Sequence, residues 1–278
     1  MTRSDEKDFV RVIKAVEPYL DQLVFVGAWS HRLLQFHSLA TPPSFAPLMT
    51  EDADLATPER LETRSPSLDT ALTAGGFQVC LLGDGQKPVT KYYPQDDENG
   101  LYVEFIAPLR GSGYTRKGEP DDILAVGGIT AQRLRYVDLL LFEPWNLQCS
   151  KEKGFDAGTD EVVIRIANPA SYLAQKVLTL NRRRNGAKRP KDALYIHDTL
   201  MMFGDAFGAL REQSARVLQL VPPKTRREFQ QLRTGLFQDK ALMLRAAAIA
   251  AATGRANPPA AETIATVCTI GLEQIFAP

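Results

Sequence analysis

Near the N-terminus, apolar residues fall at three- and four-residue steps: Phe9, Val12, Ile13, Val16, Leu20 and Leu23. That period lines one face of a helix, so an amphipathic first helix is predicted, with Pro18 as a kink. The pattern then changes. Leu23-Val24-Phe25-Val26 is a short, continuous apolar run, read as a buried strand that Gly27 ends. Residues 28–36 predict a helix, followed by a loop holding Pro42, Pro43 and Pro47. Residues 48–55 interleave apolar and polar positions and predict a second strand. A helix over 67–74 is stopped by Gly75-Gly76, and a strand over 77–82 is turned by Gly83-Asp84-Gly85. Residues 89–93 and 101–106 read as a hairpin around an acidic loop. Residues 107–125, rich in Gly, Pro and charge, predict a mobile surface loop, and 136–142 and 162–166 predict further strands.

From Pro169 onward, helical periodicity dominates, with breaks at Pro190, Gly204, Pro222-Pro223 and Pro258-Pro259. There are no internal repeats. The order of elements predicts an α+β protein: a small mixed-sheet core domain over residues 1–165 and a C-terminal helical domain over 166–278.

Composition narrows this picture only slightly. The 278 residues are 44% hydrophobic and 24% charged, which suits a globular chain with a real core. Lys+Arg and Asp+Glu are equal at 33 each, so a nucleic-acid partner must be argued from local clusters. Cys80, Cys149 and Cys268 are odd in number and lack C-x-x-C spacing, which points away from zinc and disulfide frameworks and towards a reducing, cytoplasmic setting. The charged N-terminus lacks an apolar signal core, and no run approaches the ~18–20 apolar residues of a membrane span.

The chemistry starts at Thr50-Glu51-Asp52-Ala53-Asp54-Leu55. On a strand, Asp52 and Asp54 point to one face. Adjacent carboxylates repel unless a cation or proton lies between them, and Mg²⁺ prefers such oxygen ligands. Alone, D-x-D also describes an exposed strand edge. Upstream, Gly27-Ala28-Trp29-Ser30 joins a strand to a helix, where free N–H groups and the dipole favour phosphate; an ordinary Ser-capped helix reads the same way. Downstream, Glu104 is the one charge in the β-prone run 101–106. A lone carboxylate there needs a partner or an outward-facing position. If its strand lies beside the D-x-D strand, Glu104 becomes a third ligand.

A second region is basic: five Lys or Arg residues fall among the eight from Arg182 to Arg189. Such a cluster suits triphosphate or an RNA backbone, and equally a solvated helix end. Lys176 precedes it on the same predicted helix, and Asp192 follows Pro190 near a helix start. His31, His37 and His197 lack metal-ligand spacing and read as structural or surface residues. Trp29 and Trp145 read as core anchors.

The order of parts resembles the polymerase-beta-like nucleotidyltransferase superfamily: a strand, a Gly-small-x-Ser turn, a helix, a D-x-D strand and a later strand carboxylate. More narrowly, the chain is similar to bacterial nucleotidyltransferase-fold proteins akin to the toxin nucleotidyltransferases of type IV abortive-infection systems. That likeness rests on Asn168-Pro169-Ala170-Ser171-Tyr172-Leu173-Ala174-Gln175-Lys176, on Arg182-Arg183-Arg184, and on Lys188-Arg189-Pro190-Lys191-Asp192. From the superfamily pattern the chain departs in a Gly-Ala turn where Gly-Gly or Gly-Ser is commoner, and in a longer spacing from Gly27 to Asp52.

The resemblance implies an enzyme dependent on Mg²⁺ or Mn²⁺, moving a nucleoside monophosphate from an NTP to RNA (tRNA among the acceptors) or to a protein hydroxyl. Asp52, Asp54 and Glu104 would hold two metal ions. Gly27, Ala28 and Ser30, with Lys176, Arg183 and Lys191, would bind the nucleotide. Asp192 would sit near the reacting centre, positioning or deprotonating the acceptor. An antitoxin protein is an implied partner, and no membrane is. The competing readings are an inactive nucleotide-binding or interaction module of the same fold, and a metal-dependent phosphohydrolase, which the absence of a His-rich ligand set disfavours.

Overall fold

The computed structural model describes residues 3–45, 47–48, 50–82, 89–97, 100–149, 162–183 and 186–277. The turn expected at Gly83-Asp84-Gly85, Arg184 of the basic run, and residues 150–161 lie outside the described residues. The chain forms two compact units, one of Met1–Ser30 with Met49–Ala167 and one of His31–Leu48 with Asn168–Pro278.

In the first unit, α1 (Arg3–Ala15) buries Phe9, Val12 and Ile13 on its apolar face. Pro18 does not kink this helix. The helix ends at Ala15, and Pro18 enters a separate 3-10 turn, Glu17–Tyr19, where its missing N–H breaks no hydrogen bond. Then come β1 (Val24–Val26), α2 (Gly27–Leu34), β2 (Asp52–Ala56), α3 (Leu68–Ala74), β3 (Phe77–Leu82), β4 (Val89–Pro94) and β5 (Tyr102–Pro108). They are followed by β6 (Ile123–Val126), β7 (Ile129–Leu134), α4 (Val137–Leu140), β8 (Trp145–Cys149) and β9 (Val162–Ile166). Residues of α2 from His31 onward count with the second unit.

Among the described residues these strands make one mixed sheet, with seven ordered β3-β4-β5-β2-β1-β9-β8, β7 pairing with β5, and β6 with β7. β1 pairs antiparallel with β2, while β2 runs parallel to β5 and β1 parallel to β9. All three residues of β1 are buried, as a central strand covered on both faces requires. Two further expectations fail. Residues 136–142 form not a strand but the short helix α4, with Asp138 in its first turn; so short an apolar segment does not by itself distinguish a strand from a buried helical turn. The loop expected over 107–125 gives way at Ile123 to a β6–β7 hairpin, whose Gly127-Gly128 turn has φ of 61° and 86°. Such turns match the right-handed twist of the strands they join.

The second unit is helical: α5 (Pro169–Leu180), α6 (Lys188–Met202), α7 (Phe207–Gln219), α8 (Pro223–Gly235), α9 (Lys240–Ala252) and α10 (Ala261–Ile275), with the C-terminal part of α2. Asn168 caps α5 by accepting from the Ser171 N–H at 2.7 Å, and Pro169 occupies the first turn. Helix α6 packs on α5, α9 and α10. Gly271 admits Leu200 so closely that a Cβ there would lie 2.8 Å from it.

Candidate functional site

The first unit assembles its polar site across neighbouring strands. Val26, the last residue of β1, stands opposite Asp54, and Asp54 stands opposite Glu104. Asp52 and Asp54 share a half-buried face of β2, while Ala53 and Leu55 are fully buried on the other. The parallel pairing of β2 with β5 brings the three carboxylates together, with one oxygen from each lying within 4.8 Å of the others. Such a cluster repels itself, and a hard divalent cation with oxygen preference relieves that repulsion.

Gly27 opens α2 at φ 68°, a conformation that disfavours any side chain, and a Cβ there would lie 2.1 Å from the Asp54 carboxylate oxygen. The close approach sets a carboxylate against the positive end of a helix, where negative charge is favoured. Next on α2, Ala28 is buried, Trp29 stacks on Phe9 with ring centroids 4.0 Å apart, and Ser30 is fully buried. The Ser30 hydroxyl finds no hydrogen-bond partner among the described residues. The all-oxygen carboxylate set beside the Gly27 turn suits a hard divalent cation, and the unpartnered Ser30 hydroxyl lies in the first turns of the helix that this turn opens.

One residue the sequence reading did not single out joins this cluster. Lys91 stands opposite Glu104 across the β4–β5 ladder, and its ammonium lies 2.7 Å from a Glu104 oxygen. It also sits 3.9 Å above the Tyr102 ring. Burial works against this ammonium, yet Glu104 and Tyr102 hold it above the ordinary lysine range. Burial, with the charges of Asp52 and Glu104, raises the Tyr102 phenol although Lys91 opposes them. The available signal was the hairpin itself, because pairing 89–93 with 101–106 sets some basic residue opposite some acidic one.

In the second unit, Asp192 of α6 gathers the expected basic residues. Its Oδ1 accepts from Lys176 Nζ at 2.8 Å, and its Oδ2 accepts from Arg183. Burial alone would raise the Asp192 carboxyl, but the charges of Lys176 and Arg183 hold it below the usual carboxylate range. Lys176 is buried, with its ammonium 4.9 Å from the Tyr195 ring centroid, whereas Lys191 is exposed in the first turn of α6. A second ion pair, unforeseen, joins Asp198 to Arg255 through two bonds of 2.9 and 2.6 Å, and His197 Nδ1 also reaches Asp198 at 2.9 Å. His31 is fully buried, and burial pushes its pKa down to about 4 although the Asp198 charge opposes this. His31 and His197 are thus interior residues, and His37 Nδ1 accepts from the Leu39 N–H.

The sequence matches the profile of a family described as nucleotidyltransferase over residues 5–217. No match was found among curated proteins. Among solved structures, the chain is similar to an antigenic nucleotidyltransferase-like protein from Paracoccidioides brasiliensis, at 14% identity and a TM-score of 0.39, over 95% of this chain and 98% of that one. Among the described residues, no helix is long and apolar enough to cross a membrane.

Proposed function

The chain belongs to the nucleotidyltransferase family, and from that premise we propose that it moves a nucleoside monophosphate from an NTP to a hydroxyl acceptor. Asp52, Asp54 and Glu104 are its ligands for Mg²⁺ or Mn²⁺. The observation that carries this reading is the meeting of three carboxylate oxygens within 4.8 Å on adjacent strands, beside the Gly27 turn. When bound, such ions polarise phosphoryl oxygens and lower the pKa of an acceptor hydroxyl.

The protein's own groups supply binding and orientation. Backbone N–H groups at Gly27 and Ala28, with the Ser30 hydroxyl, cradle phosphate oxygens at the helix N-terminus. The toxin-like sequence pattern assigns Lys176, Arg183 and Lys191 to nucleotide binding, where their positive charge suits phosphate oxygens. Asp192 has both oxygens engaged and its carboxyl held ionised, so it serves better to position Lys176 and Arg183 than to take a proton. The acceptor oxygen attacks the α-phosphorus, its proton passes to solvent, and pyrophosphate leaves. RNA, including the 3′ end of tRNA, is the acceptor favoured by the toxin-like sequence pattern, with a protein hydroxyl as the other choice. A neutralising antitoxin belongs to the same reading.

The test is titration of the protein with each nucleoside triphosphate, with and without Mg²⁺, beside an Asp52→Ala/Asp54→Ala variant. Metal-dependent binding that disappears in the variant is expected, followed by label transfer to RNA. Identical titrations of the two proteins would leave an inactive module as the better account.

A further inference from the structure

We propose that Lys91 is the resting counter-ion of the carboxylate site: it occupies Glu104 when no divalent ion is bound and gives up that oxygen when one is. The inference rests on the reading of Asp52, Asp54 and Glu104 as metal ligands. It starts from a row of paired residues across four strands: Val26 opposite Asp54, Asp54 opposite Glu104, and Glu104 opposite Lys91. Paired positions share a sheet face, so the ammonium enters the same face as the triad.

The register holds it there. Among the described residues β4 pairs with β5 at Lys91↔Glu104 and Tyr92↔Val103, and with β3 along its whole length. Tyr102 forms a floor 3.9 Å below the ammonium, and Tyr93 packs on Tyr102 with ring centroids 5.0 Å apart. The ion pair is largely out of solvent, with side-chain exposures of 17% and 19%. It therefore differs from the exposed pairs that contribute little.

Charge explains why a lysine belongs here. Three clustered carboxylates without a cation would repel one another and splay. One ammonium offsets part of that charge and helps to keep the cluster assembled. The same ammonium competes for Glu104, so the resting protein binds metal more weakly than three free carboxylates would. Metal must displace the ammonium from the Glu104 oxygen, and about a tenfold loss of affinity, equivalent to about 1.4 kcal/mol, is the corresponding expectation.

The experiment is a Mn²⁺ titration of the full chain without nucleotide, reading free Mn²⁺ by electron paramagnetic resonance, for wild type, Lys91→Met and Lys91→Arg. Lys91→Met is expected to bind about tenfold more tightly than wild type, and Lys91→Arg close to wild type. Wild-type protein is also labelled by reductive methylation with and without Mg²⁺, and Lys91 is followed by peptide mass spectrometry. Displacement from Glu104 should raise its labelling, a readout that stands even if the Met variant does not fold. Equal Mn²⁺ affinities in a folded Lys91→Met variant, or Lys91 labelling indifferent to Mg²⁺ in a protein that binds Mn²⁺, overturns the role of Lys91 alone. Absence of Mn²⁺ binding in wild type and variants alike overturns the metal reading and this inference together.

Discussion

Replacing Gly27 with alanine puts the geometry of the carboxylate site to a quantitative test. Two effects add at this position. The backbone sits at φ 68°, where a Cβ destabilises by about 1–2 kcal/mol. The new Cβ would also meet Asp54, at 2.1 Å from Oδ2, 3.0 Å from Cγ and 3.2 Å from Cβ. Contact along the whole carboxyl group means that a small tilt of its tip gives no relief, so Asp54 must swing away and one of three ligands is withdrawn. Gly118→Ala is the control: φ there is 80°, but no atom lies within 4 Å of the point its Cβ would occupy. Both variants should lose about 2–4 °C of melting temperature per kcal/mol of backbone strain. Only Gly27→Ala should also lose Mn²⁺ affinity, by at least about tenfold, equivalent to 1.4 kcal/mol. The assay pairs thermal melts with Mn²⁺ titration. Wild-type Mn²⁺ affinity in a folded Gly27→Ala protein would refute the link between this turn and the carboxylates.

Two further perturbations address the second unit. Asp192→Asn leaves Lys176 buried without its counter-charge, and urea unfolding at pH 7 should show a loss of about 3 kcal/mol. Because Lys176 and Arg183 outweigh burial and hold the folded Asp192 pKa low, its stabilisation is complete above the unfolded carboxylate value of about 4 and is lost as pH falls through the folded one. The variant should therefore be less sensitive to acid below about pH 4, and parallel pH profiles would contradict this. Arg255→Met strips Asp198 of a partner at 1% and 0% side-chain exposure, with an expected loss of about 3–5 kcal/mol. Adding Asp198→Leu should restore much of it, since a buried apolar pair avoids the stranded charge; a single variant within about 1 kcal/mol of wild type would sink this account.

What the amino-acid sequence by itself determined was local. The spacing of Phe9, Val12 and Ile13 gives α1 its buried stripe, and Val24, Phe25 and Val26 make a strand buried throughout. The two-residue step from Asp52 to Asp54 puts both on one face, and Asn168-Pro169 starts α5. These follow from backbone period and cap chemistry, which act over a few residues. The family pattern was legible at the same range, because its turns and strand carboxylates are short motifs.

The tertiary structure alone decided which strands became neighbours. That β5 runs parallel beside β2, with Glu104 opposite Asp54, depends on a sheet order in which chain neighbours are often not space neighbours. Lys91 entered the site through hairpin register, where a shift of one residue would have turned it to the other face. Residues 136–142 became a helical turn, because a mostly apolar segment this short carries too little period to choose between helix and strand. Asp198 found Arg255 across 57 residues, and Asp192 drew in Lys176 and Arg183, because a carboxylate in the interior must be matched by charge brought from elsewhere in the fold. Period and caps are written into each segment. Pairing of strands and of buried charges is settled only when distant segments compete for the same neighbours.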